Sequence, residues 1–319
     1  MSSIFAVTFP FFALVLGGYL AARRGMLPES AIPGLNAFVL FFALPCLLLR
    51  FGASMPFAQL IDPGLMGTYA VCALAVVALT MALTRRQEGT KDAAFGALVA
   101  AFPNTGFMGV PLLVALFGER AAGPVITTIL VDLVLTSSLC LALAESGGGR
   151  GPAAWARALR GAFTNPLPWA IAAGAALAAS GVVLPGPVNE VVRMLADAAS
   201  PVALFTIGAV LWRAGRHAHS RTPPSRFLPV ALVKLFVHPL LVLVAGLAAR
   251  AVGWPLPAEG LAVLVLAAAL PSASNVSMLA ERYQADNGRV ARIIMASTVL
   301  SFLSFTALAA WVPRLLQLQ

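Results

Sequence analysis

Two short polar stretches, each opened by a proline, interrupt long apolar segments of this sequence. One falls at 103–106 and the other at 271–275. Proline lacks a backbone donor and clashes with the preceding turn, so a helix should break at each place. Free N–H groups and the positive end of a restarting helix attract anions, which makes a small carboxylate a suitable ligand. The candidate binding residues are Pro103, Asn104, Thr105, Gly106, Pro271, Ser272, Ser274 and Asn275.

The side chains after each proline are expected to serve the second half of the broken helix. Asn104 and Thr105 carry oxygens that can accept from free N–H groups, as N-cap residues do. Ser272, Ser274 and Asn275 are expected to play the same part after Pro271. The alternative is that the prolines only kink two transmembrane helices, which is common. Two breaks at matched places, each with a polar cluster, favour a binding site.

The composition indicates that these segments lie in a membrane. Of the 319 residues, 60% are hydrophobic and 10% are charged, whereas soluble domains carry about 25% charged residues. The chain is therefore expected to be an all-α polytopic membrane protein in contact with the lipid bilayer, with no cofactor, no metal site and no nucleic-acid partner. Apolar stretches long enough to cross a bilayer predict ten spans, at 4–22, 33–51, 64–84, 93–117, 123–144, 165–184, 190–212, 227–250, 258–281 and 289–312.

The basic residues give an independent test of this topology. Counted over the predicted loops, 15 of the 21 Lys and Arg residues fall on one side and 5 on the other, with Lys234 inside a span. Because cytoplasmic loops are enriched in Lys and Arg, the richer side should be cytoplasmic. The prediction is a protein of the bacterial inner membrane with both termini on the extracytoplasmic side. The same loops account for the net charge of +9 without a nucleic-acid partner.

The ten spans divide into two halves of five. Pro103 and Pro271 are 168 positions apart, and the tenth span follows the second break as the fifth follows the first. Since five is odd, homologous halves must enter the membrane in opposite directions, which is an inverted repeat. The predicted domains are residues 1–145 for the first repeat, 146–160 for a cytoplasmic linker and 161–319 for the second repeat.

Three ionisable residues are singled out because they lie deep within predicted spans, where such groups are costly and usually functional. Asp132 lies in span five, and Lys234 and His238 lie one turn apart in span eight. They are candidates for coupling protonation to the broken helices or for neutralising charge there. The alternatives are that Lys234 extends to the interface, that Asp132 is a hydrogen-bonded structural group, and that His238 is a core residue.

The residues around the breaks resemble a known family. The run Phe-Pro-Asn-Thr-Gly-Phe-Met-Gly-Val-Pro at 102–111 is similar to the central signature of the auxin efflux carrier family of permeases, in the bile acid/auxin-type transporter superfamily. The Leu-Pro-Ser-Ala-Ser-Asn run at 270–275 and the segment containing Lys234 and His238 fit the same family. The resemblance implies a sodium/proton-antiporter-like fold, a 5+5 inverted repeat whose two broken helices cross at the substrate site. It also implies transport of auxin in plants and of malonate or malate in bacteria.

These observations together predict a secondary active transporter, not an enzyme. The expected substrate is a small organic anion, such as a dicarboxylate or an auxin-like acid, moved across the inner membrane by alternating access. A cation/proton antiporter or a sodium-coupled symporter on the same fold is the alternative, and it would depend on Asp132. A membrane receptor or a membrane enzyme would have no use for an inverted repeat. Helices 1, 2, 6 and 7 are expected to form a scaffold and a homodimer surface.

Overall fold

The structure is a computed structural model, and it describes residues 2–54, 62–146, 156, 160, 163–216 and 222–318. Within these ranges the chain is helical and forms no strand beyond one isolated antiparallel bridge. The helices are α1 Ser2–Arg23, α2 Glu29–Ser54, α3 Pro63–Ala101, α4 Thr105–Phe117, α5 Glu119–Glu145, α6 Pro166–Ser180, α7 Gly186–Arg216, α8 Pro224–Ala251, α9 Ala258–Ala269, α10 Val276–Arg282 and α11 Asn287–Leu315.

Seven of these helices are long and apolar enough to cross a membrane, namely α1, α2, α3, α5, α7, α8 and α11. The chain is therefore an integral membrane protein of helical type, as predicted. The predicted fourth, sixth and ninth spans coincide with the shorter apolar helices α4, α6 and α9. Ten crossings thus remain a prediction.

The predicted loop between spans three and four, residues 85–92, is shorter than expected. Within α3 the backbone leaves the helical conformation at Gly89, whose φ is +77°, and two helical stretches meet there. Glycine tolerates this left-handed conformation because it has no Cβ. Arg85, Arg86 and Lys91 lie in the helical turns on either side of this break.

Local sequence explains where several helices begin. The side chain of Asp62 accepts hydrogen bonds from the backbone nitrogens of Gly64 and Leu65, and Pro63 occupies the first helical position. Asn165 caps α6 in the same way ahead of Pro166. Proline suits this position because its fixed φ is helical and its missing N–H would have no partner there.

Four wide, π-helical turns interrupt the regular helices, at 39–43, 105–109, 131–136 and 233–237. Such turns insert a residue into the helical register and are frequent at functional sites. The second follows the break at Pro103, the third contains Asp132 and the fourth contains Lys234. Three of the four therefore lie at residues singled out from the sequence.

One group of helices packs through glycine. α1 lies against α7, and α2 lies against α6 and α7. A Cβ at Gly18 would come within 1.9 Å of the carbonyl oxygen of Phe205, and one at Gly208 would come equally close to that of Val15. Gly52 and Gly174 bring α2 and α6 into similar backbone contact. Small residues allow membrane helices to approach closely and gain van der Waals contact.

The remaining helices form a second group around a buried apolar core. α3 packs against α5 and α8, and α9 packs against α8 and α11. The proposed linker 146–160 lies almost wholly outside the described residues, so the domain boundaries at 145 and 161 stay predictions.

Candidate functional site

The two breaks lie directly against each other. The backbone nitrogen of Asn104 donates to the carbonyl oxygen of Pro271 at 2.8 Å, and that of Ala273 donates to Phe102 at 3.0 Å. These two bonds form the antiparallel bridge between Pro103 and Ser272. Residues far apart in sequence thus satisfy each other's backbone groups in the protein interior, where an unpaired N–H would be costly.

Serine side chains complete this contact. The Ser272 hydroxyl donates to the carbonyl oxygen of Val99 at 2.7 Å, and the backbone nitrogen of Ser272 donates to the Ser297 hydroxyl at 3.1 Å. Val99 belongs to the last turn of α3, whose carbonyls have lost their helical partners. Ser272 is therefore a structural link between the two breaks as well as a candidate site residue.

The expected side-chain capping is wrong. Neither Asn104 nor Asn275 caps its helix through its side chain. At the first break the carbonyl oxygen of Asn104 accepts from the nitrogens of Met108 and Gly109, both at 3.0 Å. A wide turn lets the backbone carbonyl close the helix start, and the asparagine side chain is left available for another partner.

A small cavity of about 30 Å³ lies beside the first break. Asn104, Asn275 and Asn165 all line it, with Pro103 and Gly106 among the other lining residues. Asn104 is only 3% exposed. This volume holds roughly one water molecule. Three asparagines therefore lie around one small space, which apolar residues such as Leu40 and Leu133 also line.

The predicted site residues fall into two sets. Pro103, Asn104, Gly106 and Asn275 line the small cavity. The other four are buried where the two breaks meet, and they are Thr105, Pro271, Ser272 and Ser274. Asn165 was missed from the sequence. Its position before Pro166 predicts the start of a helix, but the surrounding sequence does not indicate that this start lies beside the two breaks.

Asp132, Lys234 and His238 lie in the same core, and each is completely buried. Asp132 accepts a hydrogen bond from the Tyr69 hydroxyl at 3.0 Å and another from Thr136 at 3.1 Å. The rings of Tyr69 and His238 have centroids 5.6 Å apart. Tyr69 was missed from the sequence because a tyrosine in an apolar run indicates ordinary packing. The snorkelling interpretation of Lys234 is wrong, because its side chain is enclosed by protein.

Lys234 connects this polar core to the second break. Its Nζ donates to the carbonyl oxygen of Ala268, which lies in the last turn of α9. Within the part of the chain that the structure describes, neither ring nitrogen of His238 has a hydrogen-bond partner. Lys234 of span eight is thus joined to the second break through α9, and Asp132 of span five is joined to α3 at Tyr69.

A larger cavity of about 510 Å³ lies between the two helix groups. Its walls come from α2 and α7 on one side and from α10 and α11 on the other, and Ser277 and Met278 of α10 follow the second break closely. Arg213 pairs with Glu29 across its rim at 3.6 Å. The second break is thus followed within a few residues by the wall of this cavity.

Comparison with known proteins identifies the class. The chain belongs to the membrane transport protein family, that of the auxin efflux carriers, whose model matches residues 3–154 and 153–309. The resemblance found in the motifs at 102–111 and 270–275 is therefore confirmed. The family indicates a transport role for this membrane protein.

Individual relatives are similar over nearly the whole chain. A protein of Rhizobium meliloti (strain 1021) named "Putative malonate transporter" is 30% identical over 314 residues, which cover 97% of this chain and 95% of the relative. "Uncharacterized transporter YfdV" of Escherichia coli (strain K12) is 26% identical over 323 residues, covering 96% of each chain. An "Uncharacterized transporter" of Methanothermobacter thermautotrophicus is 29% identical over 304 residues, covering 91% of this chain and 92% of the relative.

Proposed function

We propose that this protein is a secondary active transporter of a small organic anion, with a dicarboxylate of the malonate or malate type as the preferred substrate. The observation that carries the proposal is the hydrogen-bonded contact of the two breaks, with the amides of Asn104, Asn275 and Asn165 gathered beside it. Amide nitrogens and backbone N–H groups donate, and a carboxylate accepts several such bonds at once. The malonate transporter name of one relative supports the same class of substrate.

The architecture that fits this function has ten spans. In it, α3 bends at Gly89 into a third and a fourth span, α4 completes the fourth, and α9 with α10 forms the ninth. The fourth and ninth spans then cross at their breaks in a 5+5 inverted repeat, which gives alternating access a geometric basis. The packing supports a scaffold of α1, α2, α6 and α7 and a moving bundle of the other helices. Asn165, at the start of α6, would touch the substrate from the scaffold.

The orientation follows from the basic loops. With both termini outside, the cavity of about 510 Å³ faces the cytoplasm, since Arg213 and Glu281 line it close to predicted cytoplasmic loops. The space beside Asn104 holds roughly one water molecule, so a dicarboxylate requires the two helix groups to separate. In this arrangement the substrate enters or leaves through the larger cavity.

The experiment is flux into proteoliposomes of the purified protein. Labelled malonate, malate and indole-acetate are offered with and without imposed proton and sodium gradients. Asn104→Ala should raise KM roughly tenfold or more, because a hydrogen bond to a charged group contributes about 1.5–3 kcal/mol. Asn189→Ala, at an exposed position of α7, is the matched control and should transport like the unchanged protein.

The same experiment separates the proposal from its alternative. Uptake of one carboxylate that falls in the Asn104 variant and persists in the Asn189 variant supports the anion carrier. Transport that is unaltered by Asn104→Ala would remove the breaks from the site. If no carboxylate moves and added sodium changes the internal pH, the protein is a cation/proton antiporter centred on Asp132.

A further inference from the structure

The carbonyl oxygen of Ala268 is released from its helix by the second break. In an uninterrupted helix it would accept from the backbone nitrogen of Ser272, four residues on. That nitrogen instead donates to the Ser297 hydroxyl at 3.1 Å. The ammonium of Lys234 takes its place as the donor to Ala268. A side chain of α8 therefore compensates a backbone group that the break has left without its helical partner.

This position is one that attracts cations. Carbonyls at the C-terminal end of a helix carry the negative end of the helix dipole. In transporters with broken helices, such ends and the unwound carbonyls beside them coordinate the coupling cation. Lys234 brings a positive charge to this end, and its side chain is completely buried. The wide turn at 233–237 sets the register of α8 at this point.

The surrounding polar groups are hydrogen-bonded to one another. Asp132 is the acidic side chain of this core, and its oxygens accept hydrogen bonds from Tyr69 and Thr136. Tyr69 lies between Asp132 and His238. Among the described residues, the hydrogen-bond partner of Lys234 is a backbone carbonyl rather than a carboxylate. The Lys234 ammonium thus donates its hydrogen bond to the broken helix α9 and not to Asp132.

We propose that Lys234 is a built-in counter-cation, which occupies the helix end that a mobile sodium ion would otherwise occupy. Anion transport by this protein then needs no sodium. This inference rests on the proposed function, because it concerns whether sodium is coupled to anion transport at the same site. It also makes a claim about cation binding that can be measured without any transport.

The first test measures thermal unfolding of the purified protein in sodium, potassium and choline chloride at equal ionic strength. The unchanged protein should unfold at the same temperature in all three salts. Lys234→Ala frees both the carbonyl of Ala268 and the space of the side chain, and it should be stabilised by sodium by a few degrees relative to choline. Lys234→Met keeps that space filled and should show no preference among the salts.

Lys91→Ala is the control, since Lys91 is exposed and is the other lysine of the chain. It should behave like the unchanged protein. A sodium-specific stabilisation of the unchanged protein would overturn the inference, and so would an equal response of Lys234→Ala to all three cations. If Lys234→Ala cannot be purified folded, the response of the unchanged protein decides the question.

Flux is the second test. Carboxylate uptake by the unchanged protein should be the same when sodium is replaced by choline, and a twofold or greater stimulation by sodium would contradict the counter-cation. If no carboxylate is transported at all, the proposed function fails, while the unfolding measurements still report on cation binding at Ala268.

Discussion

At the scale of single residues, the asparagines beside the breaks are available because the backbone does the capping. The carbonyl of Asn104 closes the start of α4, so its amide group is not committed to the helix. Asn165 differs, because its side-chain oxygen accepts from the nitrogen of Leu167 at 2.9 Å. In the proposed site, its amide nitrogen is the group that donates to the carboxylate. One side chain can therefore cap a helix and donate to a substrate.

This double role of Asn165 can be separated by substitution. Asn165→Ser and Asn165→Asp both keep an oxygen that can cap α6, so thermal stability should change little. Both lose the amide donor, and the aspartate also repels an anion. We expect KM for the transported carboxylate to rise roughly tenfold for serine and further for aspartate, measured in proteoliposomes. Equal KM values for all three proteins would show that Asn165 only caps the helix.

At the scale of helices, two kinds of contact hold this protein together. α1 and α7 meet through backbone at Gly18 and Gly208, where no side chain separates them. The helices of the other group are tied by polar contacts near their ends. Arg289, at the start of α11, is 1% exposed, and it pairs with Glu88 of α3 at 3.6 Å and donates to the carbonyls of Arg226 and Asp92.

The glycine contact predicts a sharp difference between neighbouring positions. A Cβ at Gly18 would overlap the backbone of Phe205, whereas one at Gly17 meets no atom within 4 Å. Gly18→Ala should therefore cost about 1–3 kcal/mol through forced separation of the helices. Gly17→Ala should be neutral or slightly stabilising. Thermal unfolding in detergent measures both, and equal unfolding temperatures would mean that α1 and α7 do not pack as described.

The buried arginine predicts an equally clear contrast between two ion pairs. Arg289→Gln leaves the largely buried Glu88 carboxylate with Arg226, at 3.7 Å, as its ion-pair partner and takes the guanidinium donors from the carbonyls of Arg226 and Asp92. It should destabilise the protein by about 1–3 kcal/mol. Arg120 pairs with Glu259 at 4.0 Å, but its side chain is 84% exposed. Arg120→Gln should therefore cost less than about 1 kcal/mol. If chemical unfolding gave the two variants the same stability, the side chain of Arg289 would have to be exposed to solvent and not buried against Glu88.

At the scale of the whole molecule, two cavities of different size lie near the breaks. The cavity of about 510 Å³ reaches α10, which follows the second break, while the space beside Asn104 is about 30 Å³. In the proposed orientation, the excess of basic residues in the predicted cytoplasmic loops places the larger cavity on the cytoplasmic side. Homodimer formation through α1, α2, α6 and α7 stays a prediction.

This arrangement predicts one-sided chemical labelling. After Cys46, Cys72 and Cys140 are replaced, a cysteine at Ala214 or Met278, both in the wall of the larger cavity, should react with a membrane-impermeant thiol reagent from the cytoplasmic side. A cysteine at Val183, which is 87% exposed between α6 and α7, should react from the outside. Labelling of Ala214→Cys only from the outside would reverse the assigned topology.

Features that depend on local chemistry could be predicted from the order of the amino acids. Apolar length predicted helices in a membrane, the two prolines located the breaks, and the motifs around them identified the family, because each of these is legible within a few residues. The expectation that asparagine side chains cap the half-helices failed because a wide turn lets a backbone carbonyl do so instead, and turn width is set by tertiary contacts.

Contacts between polar groups that are far apart in the chain became visible only in the folded structure. Three hydrogen bonds join different parts of the fold: Asn104 to Pro271, Lys234 to Ala268, and Tyr69 to Asp132. These bonds form only when whole helices pack in a particular order and with a particular rotation about their axes. A short sequence motif indicates neither. Asn165 and Tyr69 were missed for this reason. The physical cause is that a buried polar group must find a partner in the folded interior, and the partner can come from anywhere in the chain.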